Sequence, residues 1–69
     1  MPIYYVLKRN GYYMHPYGDN LCIFFEHLDR AYRFNSINTA IDNKYKFQHL
    51  GWGEIDIYET ENFKVIRKL

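Results

Sequence analysis

The sequence predicts an α+β domain: one small antiparallel sheet of four to five strands with a helix packed on one face, in the order β-β-(β)-α-β-β. Three observations carry that expectation. Apolar and polar residues alternate with period two near both ends of the chain, in Ile3–His15 and again from Glu54 onward. Helical spacing appears once between them, at Ile37, Ala40, Ile41 and Tyr45. The length of 69 residues leaves room for one domain, residues 1–69. Runs of strands flanking one helix close into a sheet with the helix across a face.

Ile3 to Arg9, rich in Tyr, Ile and Val, reads as the first strand. It runs into Asn10-Gly11, the strongest short hairpin signal, because a type I′ turn needs positive φ at both central residues. Tyr12 to His15 returns, with Arg9 opposite Tyr12 and Leu7 opposite Met14. Alternation puts Ile3, Tyr5, Leu7 and Met14 on one face, the expected core side, and Tyr4, Val6, Lys8, Tyr13 and His15 on the other. Pro16 to Asn20 reads as a loop. Leu21 to Phe25 is a short apolar strand, and Glu26 to Ala31 a single helical turn whose Leu28 and Ala31 cover the sheet.

Ser36 is placed to cap the helix, its hydroxyl accepting from an early backbone N–H. Asn38, Thr39, Asp42 and Asn43 are weak helix formers, so packing of Ile37, Ala40, Ile41 and Tyr45 must hold the segment. The pattern fades by Phe47, and Gly51-Trp52-Gly53 ends the element as a turn, with the indole over the core. Glu54 to Glu59 alternates with Ile55 and Ile57 inward. Thr60-Glu61-Asn62 reads as the second hairpin loop and Phe63 to Leu69 as the last strand.

Composition narrows the function classes. A chain this short buries only about 60% of its unfolded surface, and eight Tyr, five Phe and one Trp supply the large side chains that such a core needs. Cys22 is the one cysteine, so no intrachain disulfide forms, which points to a reducing compartment and a cytoplasmic location. The longest apolar run, Leu21-Cys22-Ile23-Phe24-Phe25, falls far below the ~20 residues of a membrane span. Net charge is +1, unlike a dedicated DNA binder. Acids gather at Glu54, Asp56, Glu59 and Glu61 and bases at Lys64, Arg67 and Lys68, an arrangement that pairs across a hairpin. Left unpaired, Glu54, Asp56 and Glu59 would instead imitate nucleic-acid phosphates.

No catalytic or metal constellation stands out. Cys22 with His27, or Glu26-His27-x-Asp29, supplies nucleophile and acid–base types, but Cys22 sits in an apolar run where cysteine behaves as a small hydrophobe. His15, His27, His49 and Cys22 match no compact ligand spacing, so neither metal nor cofactor is expected. The informative feature is the outward face: Tyr4, Val6, Lys8, Tyr13 and His15, extended by Tyr58, Lys64, Ile66 and Lys68 if the second hairpin joins the same sheet. A solvated face is normally polar, whereas this one is aromatic, β-branched and basic. Its bland reading is tyrosine pairing that stiffens the sheet. The functional reading is a partner-binding platform of Tyr4, Lys8, Tyr13, His15, Tyr58, Lys64 and Lys68. The same residues suit bases and phosphates of a single strand, or a second copy of the chain in a homodimer.

The order strand, Asn10-Gly11-Tyr12-Tyr13, loop, then Phe25-x-x-Leu28-x-x-Ala31-x-Arg33-Phe34-x-Ser36-x-x-x-Ala40, resembles a class of tiny bacteriophage-encoded proteins. In these a hairpin precedes an A-x-R-F-x-S/T-x-x-x-A segment that opens the helix, and one or two strands follow. The resemblance spans residues 3–59. Most members have no assigned activity, and those with known roles bind and block a host protein. It implies a non-catalytic inhibitor of a host protein or ribonucleoprotein, of the host-takeover or anti-defence type, working in the host cytoplasm. A single-stranded nucleic-acid module is the alternative.

Overall fold

The computed structural model describes residues 2–69. Five strands form one antiparallel sheet: β1 Ile3–Arg9, β2 Tyr12–Tyr17, β3 Leu21–Phe25, β4 Asp56–Glu61 and β5 Lys64–Lys68. Their spatial order is β3-β2-β1-β4-β5, and one helix, α1 (Ile37–His49), connects β3 to β4. The expected fold class is the observed one, and Leu21–Phe25 is an edge strand of the main sheet.

Asn10 and Gly11 take φ of 51° and 83°, the pair a type I′ turn demands. Arg9 then pairs with Tyr12 and Lys8 with Tyr13, and there the β1–β2 ladder stops. The expected pairing of Leu7 with Met14 does not occur, because Tyr32–Phe34 is inserted between the two strands. The Tyr32 N–H donates to the Met14 carbonyl at 3.1 Å. The Phe34 N–H donates to the Tyr5 carbonyl at 2.9 Å, and the Tyr5 N–H to that of Phe34 at 2.8 Å. Parting two strands inside a sheet bares backbone groups, and an extended third segment satisfies them.

The same geometry explains Pro16, which lies in β2 opposite Cys22 rather than in the loop. Backbone groups two residues apart point the same way, so Pro16 shares the side of Met14, away from β3. Its missing N–H removes no bond from the β2–β3 ladder.

Inserted this way, the chain crosses from one side of the sheet to the other. A 3₁₀ turn at Leu28–Arg30 leads to Ala31, and Leu28 and Ala31 pack with Tyr4, Val6, Tyr13 and Tyr58. Phe34 emerges on the opposite side, with Leu7, Met14, Ala40, Phe47, Ile55 and Ile57. Each face of the sheet therefore has its own core.

The Ser36 hydroxyl accepts from the Asn38 N–H at 3.2 Å and caps α1 as expected. The helix continues past the expected decay. Phe47 is fully buried against the sheet, whereas Tyr45 is exposed. At about 100° per residue, Phe47 returns almost above Ala40 while Tyr45 stands roughly 140° round from it. The helix closes with a Schellman motif. Gly51, at φ 92°, donates to the Gln48 carbonyl at 3.0 Å and Trp52 to that of Phe47 at 3.1 Å. The indole packs edge-on to the Phe47 ring at 5.0 Å, the apolar contact that accompanies this motif. The Arg9 guanidinium donates to the Trp52 carbonyl and fastens the turn to the end of β1.

The second hairpin is displaced from its expected position. β4 begins at Asp56 and includes Thr60 and Glu61, and the turn is Asn62-Phe63. Thr60 is fully buried because its hydroxyl donates to the Tyr4 carbonyl at 2.9 Å, which suits an inner strand better than a loop.

Phe47→Ala is expected to cost about 3–5 kcal/mol, a large share of the stability of so small a domain, while Tyr45→Ala stays within about 0.5 kcal/mol. Equilibrium urea unfolding of the two variants checks which residue the helix buries.

Candidate protein-binding surface

Tyr4, Lys8, Tyr13, His15, Tyr58, Lys64 and Lys68 do not form an open platform. Tyr4 and Tyr13 retain 7% and 9% of their surface, and Val6 none. Alternation holds; openness does not. Leu28 and Ala31 cover the sheet as expected, but they do so on the side opposite α1. The face read as exterior is a second core.

Three of the seven residues come together. The Lys8 ammonium lies 4.8 Å from the ring centroid of Tyr13 and 5.6 Å from that of Tyr58, a cation over two half-covered or covered rings. Asp56 stands opposite Lys8 in the β1–β4 ladder and receives Lys68 Nζ at 3.5 Å, so both cations have an acid beside them. His15 is half-buried. Its Nδ1 lies 3.0 Å from the Arg30 carbonyl, which can only accept, so that nitrogen carries the proton. Its ring meets Phe25 and Tyr32 edge-on at 6.2 and 5.3 Å. Lys64 is exposed at the far end of the sheet, opposite Glu61.

The acidic and basic stretches pair across the second hairpin as their order implied. The Glu59 carboxylate accepts from Arg67 Nε at 2.7 Å, and Asp56 pairs with Lys68. The exposed Lys68 and half-buried Asp56 contribute at most ~0.2–1 kcal/mol, Glu59 is itself buried with Arg67 as its partner, and both pairs cancel the local field. Asp56 and Glu59 are thus occupied by the protein's own cations, which removes two of the three acids that phosphate imitation required.

Cys22 lies half-buried against the helix-side core. Burial pushes its thiol pKa up, offset only in part by a backbone hydrogen bond from His15 and the charge of Arg9. Because the thiolate is the nucleophile, a thiol held neutral is a poor one. Among the described residues no group of three His, Cys, Asp or Glu side chains is arranged to hold a metal ion.

Two strand edges remain open, and they differ in kind. All five residues of β5, Lys64-Val65-Ile66-Arg67-Lys68, are exposed, and three are cations. Charge on an edge discourages pairing with another strand. β3 carries Leu21-Cys22-Ile23-Phe24-Phe25 and no charge at all. Leu21 and Ile23 are 54% and 47% exposed. The β2–β3 register sets Tyr17 beside Leu21 and His15 beside Ile23, so Tyr17 and His15 join them on one face. This apolar rim was visible in the sequence as a run, but its edge position follows only from strand order.

Compared with known proteins, the chain matches no protein-family model, no curated protein and no solved structure.

Tyr13→Ala should behave as a core truncation, losing about 3–5 kcal/mol in urea unfolding, where a platform residue would lose little. The raised thiol gives a pH prediction. A group protonated more tightly when folded adds stability below its unfolded pKa, about 8.5 for cysteine, and loses it as pH rises through the folded value. Cys22 should therefore alkylate more slowly in the folded than in the denatured chain at mildly alkaline pH, and Cys22→Ser should flatten the alkaline decline in stability.

Proposed function

We propose that this chain is a non-catalytic binding module that docks a host protein, or the protein surface of a ribonucleoprotein, along the free edge of β3. The single observation that carries the reading is the uncharged rim of Leu21–Phe25, with Leu21 and Ile23 open to solvent. Free backbone groups on such an edge accept an extended segment as a sixth strand, and pockets for alternate side chains supply the specificity. The aromatic neighbours Tyr17 and Phe25 add contact area at small entropic cost.

The resemblance of residues 3–59 to small phage proteins supports the host-blocking form of this reading, a takeover or anti-defence inhibitor. A lone cysteine supports work in the cytoplasm. No helix among the described residues is long and apolar enough to cross a membrane. The neutral thiol of Cys22 counts against nucleophilic catalysis. The nucleic-acid alternative needs free ring faces beside free cations. Tyr4 and Tyr13 are covered, and Lys8 and Lys68 each have Asp56 as a neighbour.

Ile23→Lys places a charge on the edge while changing an exposed side chain, so the fold should survive. Capture from host lysate should be lost in Ile23→Lys and kept in Lys64→Glu, with the amides of Leu21–Phe25 slowed in hydrogen exchange when the partner is bound. Undiminished capture by folded Ile23→Lys would sink the β3 site. A dimer in sedimentation that Ile23→Lys dissolves would assign the edge to a second copy. Oligonucleotide binding that falls steeply with salt would return the reading to nucleic acid.

A further inference from the structure

The turn between β4 and β5 uses Asn62 and Phe63 at φ of 53° and 63°. The first hairpin makes the same kind of turn with Asn10-Gly11, where glycine has no Cβ to clash. A bulky L side chain is disfavoured in that conformation and persists only where its surroundings hold it. Here the holding contact is Arg33, whose guanidinium lies 4.6 Å from the Phe63 ring centroid and 5.2 Å from that of Tyr4. Arg33 makes no ion pair with a carboxylate among the described residues. Glu61, the acid nearest Phe63 along the chain, stands opposite Lys64.

Pro2, Tyr4, Arg33, Asn35, Asn62 and Phe63 line a half-open surface cleft of about 270 Å³. Tyr4, more than nine-tenths buried, forms one wall, and its hydroxyl is the one buried side-chain polar atom without a hydrogen-bond partner among the described residues. Buried hydroxyls are ordinarily paired, so this one is a polar group that the fold leaves unsatisfied at the base of the cleft.

We infer that this cleft binds a small organic oxyanion, a carboxylate or phosphate monoester carried on an apolar body. Two rings hold the Arg33 fork in place, leaving its N–H edge to grip an oxyanion bidentately. The carboxamides of Asn35 and Asn62, which line the same cleft, add neutral donors. Pro2 and the rings of Tyr4 and Phe63 receive the apolar body. The volume falls just under the roughly 300 Å³ at which drug-sized sites begin, so the ligand is small. Glycine at position 63 would relax the turn but remove the ring that fixes Arg33. The site is independent of the β3 edge.

Calorimetric titration of the full chain with benzoate, phenyl phosphate and inorganic phosphate, with amide shift mapping, tests the assignment. Benzoate or phenyl phosphate should bind saturably and shift Asn35, Asn62 and Phe63, and the preferred probe tells carboxylate from phosphate ester. The Kd should rise about tenfold or more in Arg33→Gln. Phe63→Gly should weaken binding similarly while raising the melting temperature. No saturable binding of either organic probe, or an unchanged Kd in folded Arg33→Gln or Phe63→Gly, would overturn the site. Equal affinity for inorganic phosphate and phenyl phosphate would overturn the organic ligand.

Discussion

Two hydrogen bonds between Tyr5 and Phe34, with a third from Tyr32 to Met14, hold a piece of connecting chain inside the sheet where β1 and β2 part. These bonds satisfy backbone groups that would otherwise be buried bare, and they let the chain leave one face of the sheet and emerge on the other. Much of the molecule depends on that passage. Before it, Leu28 and Ala31 seal one face; after it, Ser36 opens a helix that seals the other. Without the insertion, Tyr4, Val6 and Tyr13 would stand in water.

Covering both faces suits a chain of 69 residues. A one-sided sheet of this length would bury too little apolar surface to offset the entropy of ordering it. Here Leu, Met, Phe and Ile side chains fill the helix side and Tyr, Val and Leu the other, and a helix of weak intrinsic propensity is held by Ala40 and Phe47 rather than by its own preference. Small residues occur where backbones approach closely. Ala31 sits under the 3₁₀ turn and Ala40 against the sheet, both buried.

With the faces closed, the open apolar surface is left at edges and corners. β5 is guarded by lysine and arginine, and its charges are matched by Asp56 and Glu59 of β4. β3 has no such guard. The corner at Asn62-Phe63 combines backbone strain, a ring-bound guanidinium and an orphan hydroxyl. Strain of this kind concentrates where a side chain serves something other than the fold. These two places, not the centre of the first hairpin, are where the surface departs from what stability alone requires.

Local chemistry was legible in the sequence: the Asn10-Gly11 turn, the period-two strands, the Ser36 cap, the glycines around Trp52 and the opposed charges of the last hairpin all appear as read. These features depend on neighbours a few residues apart, and short-range sterics and hydrogen bonding decide them. The exposure of Tyr4 and Tyr13, the true turn at Asn62-Phe63 and the edge position of Leu21–Phe25 were not legible. Alternation tells which residues share a face but not what lies over that face, because the cover comes from chain some twenty residues away. Tertiary structure alone decided that Tyr32–Phe34 would pass between β1 and β2, since only the folded sheet presents the unpaired backbone groups that draw it in.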